Sequence, residues 1–346
     1  MQKTKNRKTL IRILYIGNNF TEKSQYHSTL ITLSNLLVSE GYELTITSSK
    51  QNKTLRLADM CWSVIGNRKK ADYILIDTFS TSNFYFAFLT SQIARILNLK
   101  YIPILHGGNL PSRLNKSPNM SKMIFNYSYA NVAPSNYLKS AFEKAGYKTH
   151  FIPNTIKIKD YQFKKRTIVN PKILWVRAFD RTYNPQMAVK VLQLLKKDFS
   201  EASLTMVGPV KDNSFELTKQ LISELNLKDD INITGALSKN EWHKLSVDFD
   251  IFINTTNVDN TPLSVIEAMA LGMPIISTNV GGLPFLIDNE VDGVLVDKDD
   301  VDGMKNAIVD LLNNPSKAID LAMNARNKVE EFDWSQVKNK WFNLLQ

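Results

Sequence analysis

Short β-branched runs alternate with amphipathic stretches along this chain, and the alternation starts twice. The first series has apolar runs at 11–17, 43–47, 73–77 and 101–105, separated by helical patterns at 28–39, 55–65 and 84–97. After Asn154 a second series has apolar runs at 172–177, 202–208, 231–235, 251–254 and 274–278. This rhythm is typical of parallel sheets covered by helices. The sequence therefore predicts an α/β protein with two parallel sheets.

The chain length and the restart of the pattern both predict two domains. A chain of 346 residues is longer than one hydrophobic core usually supports. We expect an N-terminal domain at 1–153, a linker at 154–171, a C-terminal domain at 172–330 and a final helix at 331–346. The linker is polar and basic, without a clear period. The final helix carries Trp334, Val337, Trp341 and Leu344 at helical spacing, so it must pack against other residues, and we expect it across both domains.

Cysteine usage and hydropathy predict a cytoplasmic protein. Cys61 is the single cysteine, so the chain can form neither an internal disulfide nor a thiolate metal site. The apolar run that begins at Ile13 is too short for a signal peptide. No window approaches eighteen uninterrupted apolar residues, so no membrane span is expected.

The positive charge requires a partner or a solvated surface. The chain has 43 lysines and arginines against 33 acids, a formal net charge of +10. An anionic membrane, anionic substrates, nucleic acid and scattered surface lysines would each account for it. Two basic clusters, at residues 3–12 and at 164–166, favour an anionic membrane surface. Nucleic-acid binding ranks last, because the sequence has no recognised motif for it.

The stretch from Asn254 to Pro274 carries the richest chemistry. Ser264 precedes Glu267 by three residues, so a helix capping box accounts for both without any function. A ligand site is the alternative, because Asp259 and Glu267 then border one helix N-terminus. Such a terminus suits a pyrophosphate, and the two acids can accept hydrogen bonds from sugar hydroxyls. The stretch thus fits a nucleotide sugar.

This stretch resembles the family 4 retaining glycosyltransferases, which have the GT-B fold of two facing Rossmann-like domains. The resemblance rests on the acid-x7-acid spacing of Asp259 and Glu267, on Ala268-Met269-Ala270-Leu271-Gly272-Met273-Pro274 and on Gly281-Gly282-Leu283-Pro284, and it covers about residues 150–345. It implies that Asp259 faces the donor sugar and that Glu267 binds the ribose. The backbone of Asn260, Thr261, Leu263 and Ser264 would hold the pyrophosphate, with Pro262 lacking an N–H.

The same resemblance assigns roles outside this stretch. Arg177 would neutralise the leaving diphosphate, and Tyr183 stands where the family usually has a lysine, so Arg181 or the tyrosine hydroxyl would compensate. His106 follows a strand, where the family also carries a histidine near the donor sugar. Further donor contacts are expected from Gly17 and Asn18 after the first strand, and from Gly235 beside the base.

The sequence predicts a metal-independent glycosyltransferase without a cofactor, and the resemblance implies that the transfer retains the anomeric configuration. The donor would be a nucleotide sugar, with UDP or GDP as the nucleotide, and the acceptor a saccharide or a lipid-linked saccharide. We expect the acceptor against irregular basic loops at 50–70 and 107–127, which include Arg56, Trp62 and Lys116. A nucleotide-sugar epimerase and a non-catalytic nucleotide-sugar-binding protein remain alternatives. Measurements of donor turnover and of sugar transfer would separate the three.

Overall fold

The structure is a computed structural model that describes residues 10–19 and 29–346. It divides into two compact units. The first contains the residues up to Pro134, Leu138–Ile152 and Asn339–Gln346; the second contains Ser135–Tyr137 and Pro153–Lys338. Of the basic cluster at residues 3–12, the part from Lys3 to Lys8 lies outside the described residues. The expected domain bounds and linker stay a prediction, and residues 154–171 group with the second unit.

The first unit is built on a six-stranded parallel sheet in the order β2-β1-β3-β4-β5-β6. Its strands are β1 (Arg12–Ile16), β2 (Glu43–Thr47), β3 (Tyr73–Thr78), β4 (Tyr101–Leu105), β5 (Asn131–Ala133) and β6 (Thr149–Phe151). Buried apolar side chains fill β1, β3 and β4, as expected for a sheet covered on both faces.

Among the described residues, six helices accompany this sheet. They are α1 (Thr29–Ser39), α2 (Lys53–Gly66), α3 (Asn83–Ile96), α4 (Leu110–Lys116), α5 (Pro118–Phe125) and α6 (Asn136–Lys144). The crossovers through α2 and α3 run in the same direction along the sheet, so both helices cover one face and pack against each other. The helix predicted at 55–65 is confirmed as α2. The further expectation of irregular loops at 50–70 and 107–127 is wrong, because α2, α4 and α5 occupy most of both segments.

The second unit repeats the plan with a six-stranded parallel sheet in the order β12-β11-β10-β7-β8-β9. Its strands are β7 (Lys172–Val176), β8 (Ser203–Val207), β9 (Ile231–Gly235), β10 (Ile251–Asn254), β11 (Ile275–Thr278) and β12 (Val294–Val296). Its helices are α7 (Pro185–Leu195), α8 (Ser214–Glu224), α9 (Lys239–Leu245), α10 (Leu263–Ala270), α11 (Leu283–Leu286), α12 (Val301–Asn313) and α13 (Pro315–Glu330). Two parallel α/β sheets, as predicted, are confirmed.

The final helix, α14 (Trp334–Leu344), begins among residues of the second unit and ends among residues of the first. Its four apolar residues at helical spacing are all buried, so the expectation that they pack is confirmed. Within the described residues, no helix is both long and apolar enough to cross a bilayer.

Arg166 has a structural role that its sequence context concealed. Its side chain is only 2% exposed. The guanidinium donates hydrogen bonds to the carbonyl oxygens of Phe249, Gly272 and Ser246 at 2.7, 2.8 and 3.0 Å. Burial lowers its pKa to about 10 in spite of the nearby Asp250 carboxylate, which acts in the opposite direction. Arg166 therefore cannot join its neighbouring lysines in a membrane-facing cluster.

Candidate functional site

The carboxyl edge of the second sheet brings together several of the predicted site residues. Arg177 directly follows β7, and Asn254 ends the neighbouring strand β10. The Arg177 Nε donates to Asn254 Oδ1 at 3.2 Å, and its Nη2 forms an ion pair with the Asp259 carboxylate. The guanidinium also lies 4.7 Å from the ring centroid of Tyr183. Arg177, Asp259 and Tyr183 thus form one cluster.

Tyr183 supports Arg177 without supplying a charge. Burial raises the pKa of its hydroxyl, and the Arg177 charge opposes that rise only in part. The ring stays neutral and offers its face to the guanidinium, a cation–π contact. Arg181 instead lies with an 85% exposed side chain, 3.3 Å from Asp212. The cluster therefore has one cation, Arg177, close to Asp259 among the described residues.

The loop that carries Asp259 is held by backbone contacts. The Asn260 N–H donates to Asp259 Oδ1 at 2.8 Å, and the Asn260 side chain accepts a hydrogen bond from Ser135. The Gly282 N–H donates to the Asp259 carbonyl at 3.0 Å. A β-carbon at Gly281 or Gly282 would overlap the carbonyl oxygen of Asp259 or Asn260, respectively. Glycine is therefore required at both positions for the loop to close.

The N-terminus of α10 lacks a side-chain cap. Its N-cap is Pro262, so Ser264 is the second residue of the helix and cannot cap it. The capping box of Ser264 and Glu267, the alternative to a ligand site, is therefore wrong. The hydroxyl oxygens of Thr261 and Ser264 are buried and have no hydrogen-bond partner among the described residues. Such a terminus, with its partial positive charge, offers donors to an anion.

Glu267 lies one turn further along α10, and its side chain is 12% exposed. Its Oε1 accepts a hydrogen bond from the Tyr161 hydroxyl and lies near the Lys239 ammonium, both at 3.0 Å. Its Oε2 lies 3.6 Å from Nε2 of His243, which is long for a hydrogen bond. Burial acts to raise the pKa of Glu267, but His243 and Lys239 outweigh it and hold the pKa below its ordinary value. Glu267 is therefore a buried, ionised acceptor.

The sequence analysis missed these three partners of Glu267. Lys239 and His243 lie four residues apart on α9, so they share a face, and a capping box of Ser238 and Glu241 starts that helix. This capping box was visible in the sequence and fixes the phase of α9. Tyr161 lies in the segment that was interpreted as a linker, and nothing in its local pattern indicates a contact with Glu267.

A second cluster lies at the carboxyl edge of the first sheet. The His106 Nε2 lies 2.9 Å from Asp77 Oδ1, and the Tyr15 hydroxyl donates to the same oxygen at 2.9 Å. The His106 and Asp77 side chains are 9% and 6% exposed. Phe79 stacks on the imidazole at a centroid distance of 4.9 Å. Asp77, which the sequence analysis missed, thus fixes the orientation of His106.

Gly17 adjoins this cluster, and no larger residue fits at its position. A β-carbon at Gly17 would overlap Leu30 and the Asp77 carboxylate. The neighbouring Asn18 has a buried side-chain oxygen without a hydrogen-bond partner among the described residues. Gly17, Asn18 and Asp77 line one small cavity with Phe79. The structure therefore brings Gly17, Asn18 and His106 to one place in the first unit.

The two remaining predicted site residues, Gly235 and Leu263, make none of the side-chain contacts described above. Gly235 ends β9, and its carbonyl accepts a hydrogen bond from the Gly208 N–H at 2.8 Å. Leu263 is the first residue of α10. Across residues 10–19 and 29–346, no group of three histidine, cysteine, aspartate or glutamate side chains is arranged to hold a metal ion.

Comparisons with known proteins identify similar sequences and similar folds. Residues 158–328 match the family model of the glycosyl transferases group 1. The structure of Anabaena HepE in complex with UDP superposes with a TM-score of 0.76 at 15% identity, covering 97% of this chain and 99% of that one. The fold is that of the GT-B glycosyltransferases. The GT-B architecture implied by the sequence resemblance is therefore confirmed.

Two curated relatives are glycosyltransferases. An uncharacterised glycosyltransferase of Haemophilus influenzae is 26% identical over 197 residues, which are 56% of this chain and 53% of the relative. The UDP-Gal:alpha-D-GlcNAc-diphosphoundecaprenol alpha-1,3-galactosyltransferase of Escherichia coli is 30% identical over 107 residues, which are 31% of this chain and 27% of the relative. The matches thus span about half and about a quarter of these relatives.

Proposed function

We propose that this protein transfers a sugar from a nucleotide-sugar donor to a saccharide or lipid-linked acceptor, with retention and without a metal ion. UDP is the favoured nucleotide, because the HepE structure contains UDP and the Escherichia coli relative is named for a UDP-sugar. GDP is the alternative. A role in cell-surface polysaccharide or glycolipid synthesis, with an anionic membrane surface as a further partner, follows from such an acceptor.

The uncapped N-terminus of α10 is the observation that carries the proposal. Thr261 and Ser264 bury hydroxyls there that have no hydrogen-bond partner in the described part of the chain, a costly arrangement that a bound anion would relieve. The first-turn N–H groups and the helix dipole would add to the binding of a diphosphate. Arg177 would stabilise the charge that develops on the diphosphate as the sugar leaves.

The two acids would bind the hydroxyl groups of the donor. Glu267 has Oε1 occupied by Tyr161 and Lys239, so Oε2 would accept from the vicinal hydroxyls of the ribose. Asp259 would accept from a hydroxyl of the transferred sugar once Arg177 contacts the diphosphate. In the first unit, Asp77 would hold the His106 ring so that its Nδ1 faces the ligand.

A thermal-shift screen tests donor binding, because a ligand that binds only the folded chain raises its melting temperature. The screen would compare UDP-, GDP-, ADP- and dTDP-sugars with and without EDTA. We expect one nucleotide class to give a shift that EDTA does not change and that Arg177→Ala abolishes. A shift that disappears with EDTA would contradict metal independence, and no shift with any donor would contradict the site.

Transfer is tested with Asp259→Ala and Glu267→Ala, which should both abolish it while the folded structure remains. Normal transfer by either variant would refute the assignment. NMR of the product anomer would test retention.

A non-catalytic nucleotide-sugar-binding protein is the second candidate, favoured by the neutral Tyr183 beside Arg177. It would bind the donor but give no product with any acceptor. An epimerase would convert the donor when no acceptor is present.

A further inference from the structure

The outer face of α2 and α3 in the first unit is apolar where solvent-exposed helices are usually polar. Leu55 and Trp62 on α2 are 61% and 70% exposed, and Tyr85, Leu89 and Ile96 on α3 are 48%, 39% and 76% exposed. Along each helix, successive members of this set are four or seven positions apart, so each helix carries one apolar stripe. Because α2 and α3 cover the same face of the sheet, the two stripes point outward together. We call these five residues the α2–α3 face.

The same part of the chain carries most of the excess positive charge. Residues 51–130 contain ten lysines and arginines against three aspartates, whereas the whole chain has 43 against 33. The three aspartates are also engaged: Asp77 contacts His106, Asp59 accepts from Thr47 and Asp72 pairs with Arg12. The surface around the α2–α3 face is therefore strongly positive.

Basic and aromatic side chains lie together near the C-terminal end of α3. Arg95 lies 4.6 Å from the ring centroid of Tyr127, and Lys100 lies 4.9 Å from that of Tyr129. Both tyrosines are about half exposed, at 56% and 45%. Lysines and arginines beside exposed tryptophan and tyrosine are characteristic of the membrane–water interface, where the rings lie at the level of the lipid headgroups.

We propose that the α2–α3 face binds the surface of an anionic phospholipid bilayer, with both helices parallel to the membrane. The five exposed side chains would enter the headgroup region. The flanking Arg68, Lys69, Lys70, Arg95 and Lys100 would contact lipid phosphates. The assignment excludes Arg56, which was expected in the basic surface, because its side chain is buried and its guanidinium lies 5.6 Å from the Phe86 ring centroid.

This surface deepens the proposed function, since it names the partner that a lipid-linked acceptor requires. The physical interaction can nevertheless be measured without donor or acceptor. A failure of vesicle binding would therefore be distinct from a failure of sugar transfer.

Trp62 provides a direct signal for the experiment. The other four tryptophans, Trp175, Trp242, Trp334 and Trp341, are 0%, 3%, 8% and 3% exposed. The full chain would be titrated with vesicles of phosphatidylcholine alone, and with vesicles that also contain phosphatidylglycerol. We expect a blue shift of the emission with the anionic vesicles and none with the neutral ones. The shift should disappear in Trp62→Phe, while co-sedimentation with the vesicles persists.

Two variants test the charge and the apolar stripe separately. The triple variant Arg68→Gln, Lys69→Gln, Lys70→Gln should lose about a hundredfold in vesicle affinity, from about fivefold for each charge. The double variant Trp62→Ala, Ile96→Ala should bind at least tenfold more weakly. A matched control is Lys165→Gln, Ile168→Ala, Lys172→Gln in the second unit, where Ile168 is 72% exposed.

The control variant should bind as the unmodified chain does, and all variants should keep the UDP-sugar thermal shift. Equal loss of vesicle binding in the control would overturn the assignment to the α2–α3 face. A blue shift that persists in Trp62→Phe, or equal affinity for neutral and anionic vesicles, would overturn it as well.

Discussion

Replacing Lys239 with methionine tests whether a cation holds Glu267 in its ionised form. The substitution keeps much of the side-chain length but removes an ammonium that lies 3.0 Å from Glu267 Oε1. Lys239 is 46% exposed, so solvent screens part of this attraction. Allowing for this screening, we expect the ion pair to contribute about 1–2 kcal/mol to the free energy of unfolding at neutral pH.

The pH dependence gives this prediction its sign. The pKa of Glu267 lies below its ordinary value in the folded chain, so the ionised group stabilises the fold above the pKa of the unfolded chain. That contribution is lost as pH falls through the folded pKa. In Lys239→Met, burial is opposed by fewer charges, and the pKa of Glu267 should rise. The stability difference should therefore be largest at neutral pH and shrink as Glu267 becomes protonated in both proteins.

Urea unfolding followed by circular dichroism, from neutral pH down to about pH 4, near the ordinary pKa of a glutamate, measures this difference. Lys244→Met is the matched control, because Lys244 is exposed on the same helix. Its effect should stay within about 0.5 kcal/mol at every pH. A loss in Lys239→Met that does not change with pH, or an equal loss in the control, would refute the argument.

Three further perturbations have defined outcomes. Gly17→Ala should cost about 1–3 kcal/mol in urea unfolding, because its methyl would overlap Asp77, whereas Gly66→Ala, where the added methyl meets nothing within 4 Å, should be nearly neutral. Asp77→Asn should slow transfer by roughly 10-fold, the equivalent of one charged hydrogen bond, with little change in donor affinity by thermal shift. Arg166→Met should destabilise the chain by about 3–5 kcal/mol in the same unfolding assay, while Lys165→Met should not.

The double α/β architecture could be predicted because its signal is local and repeated. Each buried strand appears as a short apolar run, and each crossover helix adds an amphipathic stretch. The helical pattern at 55–65 did predict α2, although the same segment was also interpreted as an irregular basic surface. The segment 107–127 was misjudged because it contains many basic and polar residues, and because α4 and α5 are short helices that bury few residues each.

The sequence singled out candidate site residues one motif at a time, but it did not indicate the contacts between them. Arg177 and Asp259 were singled out separately by their positions, and the structure pairs them. Ser264 could be interpreted as a cap because residue spacing does not show where a helix begins. Contacts such as Tyr161 with Glu267 join residues that are 106 positions apart, and only the folded chain brings them together.

Asp77, Glu267 and Asp259 differ in how far their existing contacts leave an oxygen free to bind a ligand. Asp77 is engaged by Tyr15 and His106 through one oxygen and enclosed near Gly17 at the other, so it acts on the ring of His106. Within residues 10–19 and 29–346, Oε2 of Glu267 has only a long contact to His243, so this oxygen can accept a hydrogen bond from a ligand hydroxyl.

Asp259 differs from both, because its two oxygens accept from Asn260 and from Arg177. A diphosphate at the α10 N-terminus would compete for the same guanidinium, since it carries more negative charge than a carboxylate. Release of Asp259 would then follow from binding of the diphosphate. We infer that the Arg177–Asp259 pair compensates the charge of the partly buried arginine in the donor-free chain, and that exchange of this pair makes Asp259 available when a sugar hydroxyl is present.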